Sequence, residues 1–177
     1  MNDTNSGTVY DTTFPLFIRG LRTLLHLLQK ATTYSKDQNL PRTTIPAWRL
    51  HADMKPFTFQ VQMVTNMAKR TAERLTGKPQ DSFADKDETT LDELAARVTK
   101  AVRMLQRVDR ADVVAHGNAR EKLAIRGREM DVTPREFVDE FAQPNFFFHL
   151  VMVYSLLRMH GVEVGKFDYL GGFLGER

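Results

Sequence analysis

The side chains best suited to chemistry gather in one apolar run, FAQPNFFFHLVMVYSLLRMHG, at residues 141–161. It holds Asn145, His149 and His160 among phenylalanines, leucines and methionines. Histidine is the side chain whose unperturbed charge change lies nearest physiological pH, so His149 can act as acid, base or hydrogen-bond donor. On a helix, His149, Val153, Leu156 and His160 share one face. The two histidines are then three turns apart, about 16 Å along the axis, and cannot hold one metal ion. A zinc-binding pair on one helix needs the spacing of H-E-x-x-H, and position 153, where a second ligand would stand, is valine. His160 reads as a capping residue at the helix end. The structural alternative for His149 is a core histidine with satisfied hydrogen bonds.

Other polar candidates are fewer. Gln60 lies at the edge of an inward helical stripe, where a buried amide must find partners, either across helices or in a ligand. Asp53 reads as a cap for that same helix, with His51 an exposed neighbour. Arg97, Lys100, Arg103 and Arg107 form a basic stripe, joined by Arg126 and Arg128. Neither stacking aromatics nor base-reading side chains accompany it, so it reads as a solvated face and not a nucleic-acid surface. The sequence has no Gly-rich phosphate cradle, no G-x-S-x-G elbow and no Ser/His/Asp arrangement. It has no cysteine, which excludes disulfides, a thiol nucleophile and Cys-ligated metal.

The elements that must position these groups follow from periodicity. Phe14, Phe17, Ile18, Leu21, Leu24, Leu25 and Leu28 predict a first helix to about residue 35, with Thr13 as N-cap and Pro15 in its first turn. Residues 1–8 read as a flexible arm and 9–177 as one domain. Pro41 and Pro46 break the linker that follows. Phe57, Val61, Val64, Ala68, Thr71, Ala72 and Leu75 predict the second helix, stopped by Gly77 and Pro79. Thr90 and Glu93 form a capping-box pattern ahead of the third. Alternation around Gly127 suggests a hairpin, which is marginal alone and must pack on the bundle. Thr133, Pro134 and Glu136 start a fourth helix that runs to about His160, bent at Pro144. The Gly-rich tail carries aromatics that can tuck against the body. The fold class is therefore all-α, an antiparallel four-helix bundle with a small β-hairpin inserted before the last helix.

Bulk properties agree. A chain of 177 residues suits one domain, and that length buries about 70% of the unfolded surface. The net charge of +3 is too mild to imply a nucleic-acid or membrane partner. The polar start, MNDTNSGTVYDTT, has no apolar stretch of a secretory signal, and no run is long enough to span a membrane. A cytoplasmic protein is the expectation.

Four segments in order, YDTTFPLFIRGL, DMKPFTFQVQ, FAQPNFFFH and LLRMHGVEVGKFDYLG, resemble an uncharacterised branch of the DinB/YfiT-like superfamily over roughly residues 9–171. The resemblance implies a four-helix bundle, often dimeric. Better-known relatives carry three histidines on a divalent metal, and some are metal-dependent thiol transferases. This chain departs from that pattern: it lacks the H-x-x-x-H pair, has Glu140 where the branch often has His, and reads RMHG where the branch often has RHNG. A metal set would have to come from His51, Glu140 and His149 across helices. The expectation is instead no metal and no cofactor.

The reading that results is a cofactor-independent enzyme of the isomerase or cyclase type. It would hold an apolar small molecule in a pocket inside the bundle, with His149 and Asn145 as catalytic groups. Arg19, Gln60, Phe146, Phe148, Met152 and Tyr154 would bind the substrate. The alternatives are a metal-dependent transferase or hydrolase and a non-catalytic, homodimeric binding module.

Overall fold

The computed structural model describes residues 4–83, 88–117, 119–125 and 127–174. Four long helical segments build the core. They are α1 (Thr4–Asp37), α3 (Phe57–Thr76), α4 (Leu91–Gln106) and a final segment made of α6 (Pro134–Glu136), a π-helical stretch (Phe137–Ala142) and α7 (Gln143–Met159). Short helices α2 (Thr44–Ala47) and α5 (Arg110–His116) lie in the connections, and α8 (Lys166–Leu174) closes the described chain. An antiparallel hairpin, β1 (Glu121–Ile125) and β2 (Arg128–Val132), precedes the last segment, pairing Ile125 with Arg128 across a turn at Gly127 (φ 78°).

The bundle consists of two antiparallel pairs. Tyr10 near the start of α1 bonds the carbonyl of Val108 beyond the end of α4, so these two helices run oppositely. Gln60 meets His149 while Arg74 lies over Phe137, so α3 and α7 also run oppositely. The long connection 77–90 carries the chain from the end of α3 back to the start of α4. Buried Phe14, Phe17, Leu21, Leu24, Val61, Val64, Ala68, Val98, Phe146, Leu150 and Val153 fill the centre.

Both capping boxes form. Thr90 accepts from the Glu93 N–H while Glu93 accepts from Thr90, and Thr133 and Glu136 do the same at α6. These reciprocal bonds satisfy orphan N–H groups at each helix start. Gly77 ends α3 in the left-handed conformation, φ 64°.

Other expectations need correction. Helix α1 begins by Thr4, so residues 4–8, expected in an arm, are helical. Buried Val9, and Tyr10 packed on Phe14, extend the apolar stripe upstream, and that burial outweighs an interior Pro15. Thr13 is consequently no cap; its buried hydroxyl has no partner among the described residues. Asp53 does not cap α3 either, because Pro56 takes the N-cap position and Asp53 accepts a 2.6 Å bond from His51 instead. The bend expected at Pro144 takes the form of the π-helical stretch just before it, where the Gln143 N–H reaches back to the carbonyl of Val138. A proline ring clashes with the carbonyl four residues earlier, and a widened turn relieves that conflict. The Gly-rich tail folds into α8, seated so closely on α1 that a Cβ on Gly172 would meet Thr23 Oγ1 at 2.3 Å. Arg97 leaves the solvated stripe altogether and is buried, whereas Lys100, Arg103 and Arg107 are exposed; Arg126 lies outside the described residues.

Candidate functional site

The expected hollow in the bundle interior is filled. Phe146 is fully buried and stacks on Phe17 with ring centroids 4.3 Å apart. Its ring edge occupies the space beside Gly20, where a Cβ would come within 2.5 Å. Phe146 is therefore a core residue and no pocket wall. The interior is closed because α1 offers a glycine where α7 offers a phenylalanine.

The polar chemistry sits at the outer edge of this core, between α3 and α7. His149 Nδ1 lies 2.7 Å from Gln60 Oε1, and the Gln60 amide nitrogen donates to the carbonyl of Lys55 at 3.0 Å. Since that NH2 group is committed to a carbonyl, the Gln60 oxygen faces His149 and can only accept. Nδ1 therefore carries the proton, and the lone pair falls on Nε2. Among the described residues no hydrogen bond to that Nε2 is formed. The rings of Phe59 and Phe148 stand edge-on to the imidazole, at 5.9 and 5.1 Å. Burial drags the His149 pKa from its usual 6.5 to about 4, because a charged ring here would lose its water without gaining a partner. The side chain is thus an oriented, neutral acceptor through the physiological range.

The remaining candidates divide around this pair. Phe148 is 56% exposed and forms an outer wall, and Met152 is nearly buried on the same helix. Asn145 is half-buried one turn before His149. Arg19 and Tyr154 are not part of the arrangement. Arg19 is exposed on α1, with its backbone beside Gly172 of α8, and Tyr154 packs edge-on against Tyr169 of α8. His160, at the C-cap of α7, stacks on Trp48 at 4.0 Å, and its buried Nε2 has no partner among the described residues.

The residues do not fit a metal. His51 is exposed and bonded to Asp53, and Glu140 is exposed, so neither is gathered with the free Nε2 of His149. Among the described residues no three His, Asp or Glu side chains cluster as ligands. Surface clefts exist elsewhere. One of about 710 Å3 opens between the end of α1 and the start of α4, where Lys36 and Arg42 oppose Asp92. Another of about 460 Å3 lies under α8 beside His26 and Asp168. The His26 bond, with a lesser contribution from the Gly165 N–H, holds the Asp168 carboxyl below its usual pKa.

Sequence reasoning missed a second buried polar cluster. Arg97 donates through Nε to Thr65 Oγ1 at 2.6 Å and through one terminal nitrogen to both Glu88 oxygens at 3.1 and 3.0 Å. The other terminal nitrogen donates to Asn66 at 2.5 Å. The available signal was Arg97 standing between Leu94 and Ala101 on the inward stripe of α4.

A four-helix bundle with a small antiparallel hairpin before its last helical segment is a DinB-like fold. The solved structures agree: the chain is similar to a DinB family member protein from Shewanella denitrificans, at 32% identity and TM-score 0.85, covering 100% of this chain and 99% of that one. The chain belongs to the family described as a domain of unknown function, DUF1993, whose model matches residues 9–170. No curated protein matches it. No described helix is long and apolar enough to cross a membrane.

Proposed function

We propose that the α3–α7 edge binds a small apolar molecule bearing one hydrogen-bond donor and promotes its rearrangement without a cofactor. The observation that carries this is the free Nε2 lone pair of His149, fixed in direction by Gln60 and flanked by Phe59 and Phe148. Apolar walls with few, placed polar groups are the composition of a small-molecule site. A pKa near 4 makes His149 a weak base, suited to accepting a hydrogen bond and holding a ligand in a reactive shape. An isomerisation or ring closure balances on those terms: a proton shared with Nε2 returns to the product, and no group leaves. Asn145 and Met152, on the same helix, are the further contacts of this reading. The chain is read as cytoplasmic.

The test is NMR of protein labelled with 15N in its histidines, titrated with phenol, indole and small alicyclic alcohols. The expected result is a saturable shift of the His149 Nε2 resonance by at least one of these, absent in His149→Phe. A folded protein whose His149 resonance is unmoved by the whole panel would remove the ligand reading and leave a non-catalytic module.

A further inference from the structure

The cleft between α1 and α8 holds another histidine, and its surroundings are unlike those of His149. It has a volume of about 460 Å3 and is lined by Arg22, Thr23, His26, Phe167, Asp168 and Gly171. That volume suits a small-molecule site. One close approach shapes it: Gly172 lets α8 settle on α1 beside Thr23, whose hydroxyl donates to the Tyr169 carbonyl at 3.1 Å. A Cβ on Gly171, the residue before, would meet nothing within 4 Å, so the space beside it is open.

Asp168 fixes the histidine. One carboxylate oxygen accepts the Gly165 N–H at 2.7 Å, which ties the aspartate to the start of α8. The other lies 2.7 Å from His26 Nε2. The His26 bond and the Gly165 N–H hold this carboxyl below its usual pKa, so it is ionised and can only accept. Nε2 therefore carries a proton, and the polar atom left on the imidazole is Nδ1. Among the described residues no hydrogen bond to that Nδ1 is formed. The His26 side chain is 45% exposed, so a ligand can reach it.

Charge in the cleft is uneven. Lys30 lies 3.6 Å from the same Asp168 oxygen as His26 and offsets its negative charge. Arg22 stands one turn before His26 on α1. Their Cβ atoms are then about 6 Å apart, a gap that one benzene ring with two substituents can bridge. Arg22 is exposed and has no acidic partner among the described residues. In the larger cleft at the start of α4, by contrast, Asp92 stands against Lys36 and Arg42. Phe167 completes the set. At 77% it is the most exposed large hydrophobic among the described residues, and at the edge of a cleft its ring offers a flat apolar surface to a planar ligand.

We infer that the α1–α8 cleft binds a hydroxylated aromatic carboxylate. Arg22 takes the carboxylate through a forked pair of hydrogen bonds, Phe167 packs against the ring, and His26 Nδ1 accepts a hydrogen bond from the ligand hydroxyl. Asp168 acts through His26 as a positioning residue. No covalent bond forms or breaks. A bare anion would engage Arg22 alone, and a neutral phenol would leave Arg22 unmatched, so the ligand class carries both groups.

The experiment is titration of the full chain, labelled with 15N in its histidines, with para-hydroxybenzoate; benzoate, phenol and sulfate serve as partial probes. The expected result is a saturable shift of the His26 ring nitrogens by para-hydroxybenzoate, weaker binding of benzoate and phenol, and no shift with sulfate. Arg22→Gln should weaken the binding about 10- to 100-fold, the worth of a hydrogen bond to a charged group. Phe167→Ala should weaken it about tenfold or less, through the lost ring contact. Both replace exposed side chains, so circular dichroism should not change. Arg103→Gln, at an exposed arginine of α4, should bind as the unaltered chain does.

His26 resonances unmoved by para-hydroxybenzoate overturn the site. A shift that sulfate reproduces, or that Arg22→Gln and Arg103→Gln lose alike, reduces it to charge attraction and overturns the ligand class. The His149 resonance in the same spectra keeps the two sites apart. A shift at His26 alone supports the cleft, whatever His149 does with neutral ligands. A shift at His149 alone overturns the cleft and leaves the α3–α7 reading in place.

Discussion

Helix α3 meets a buried, ionisable side chain on each flank, and the two are treated in opposite ways. Towards α4, Arg97 is 4% exposed and all three of its guanidinium nitrogens find acceptors: Thr65, Glu88 and Asn66. Phe83 covers it face-on at 4.4 Å. Towards α7, His149 is 9% exposed and uses one nitrogen, leaving the other open. A buried group with every valence satisfied stabilises a helix pair and has nothing left to offer. A buried group with an oriented valence to spare keeps a partly desolvated acceptor ready for something else. The comparison therefore separates structural polarity from available polarity within one bundle.

The largest effect should come from breaking the satisfied side. Arg97→Ala strands Glu88 and should cost about 3–5 kcal/mol, read as a fall in the urea midpoint. If the stability falls by less than about 1 kcal/mol, Arg97 is no keystone and the contrast with His149 disappears. Next comes acid. The folded pKa of His149, about 4, lies below the unfolded 6.5, so between these values the unfolded chain binds more protons. Stability is therefore full above pH 6.5 and is lost as pH falls towards 4, by on the order of 3 kcal/mol. His149→Phe should flatten that part of the profile, and an unchanged profile would assign the acid loss to other groups. Gln60→Leu should cost about 1–3 kcal/mol, because the Nδ1–H loses its acceptor. In the 15N spectrum the same variant should release the tautomer from its single form; a spectrum still showing only Nδ1–H would mean that Gln60 does not set it. Smallest of all, Arg103→Ala on the exposed part of the basic stripe should stay within about 0.5 kcal/mol, which marks Arg97 as the exception on its helix.

How much of this was legible depended on how local the cause was. The two capping boxes, the hairpin turn at Gly127 and the αL stop at Gly77 are decided by residues within a few positions of each other, and each formed as expected. Gln60 and His149 were both recognisable as polar groups on apolar stripes. That they bond each other across 89 positions was not, since periodicity fixes a face but not the neighbour. The Arg97 cluster was hidden for the same reason: its acceptors lie on α3 and in the connection back to α4. The type of Phe146 suits a pocket wall; the glycine that admits it to the core, Gly20, belongs to another helix. Arg19 and Tyr154 fall outside the arrangement because α8, a helix that the Gly-rich tail does not announce, packs beside both of them.

The π-helical stretch at 137–142 has a consequence for the whole final segment. A π turn holds one residue more than an α turn, so it shifts the angular phase of everything that follows by about 100°. Within it, Phe137 lies under the Arg70 and Arg74 guanidiniums and Phe141 under Arg70; downstream, Phe148 looks out while His149 looks in. Excising the exposed Glu140 would remove the extra residue, return the Pro144 ring to its clash with the preceding turn and rotate one half of the segment out of step with α3. The extra residue works as a vernier, setting which neighbour in the run Phe146, Phe147, Phe148, His149 is turned to the inside.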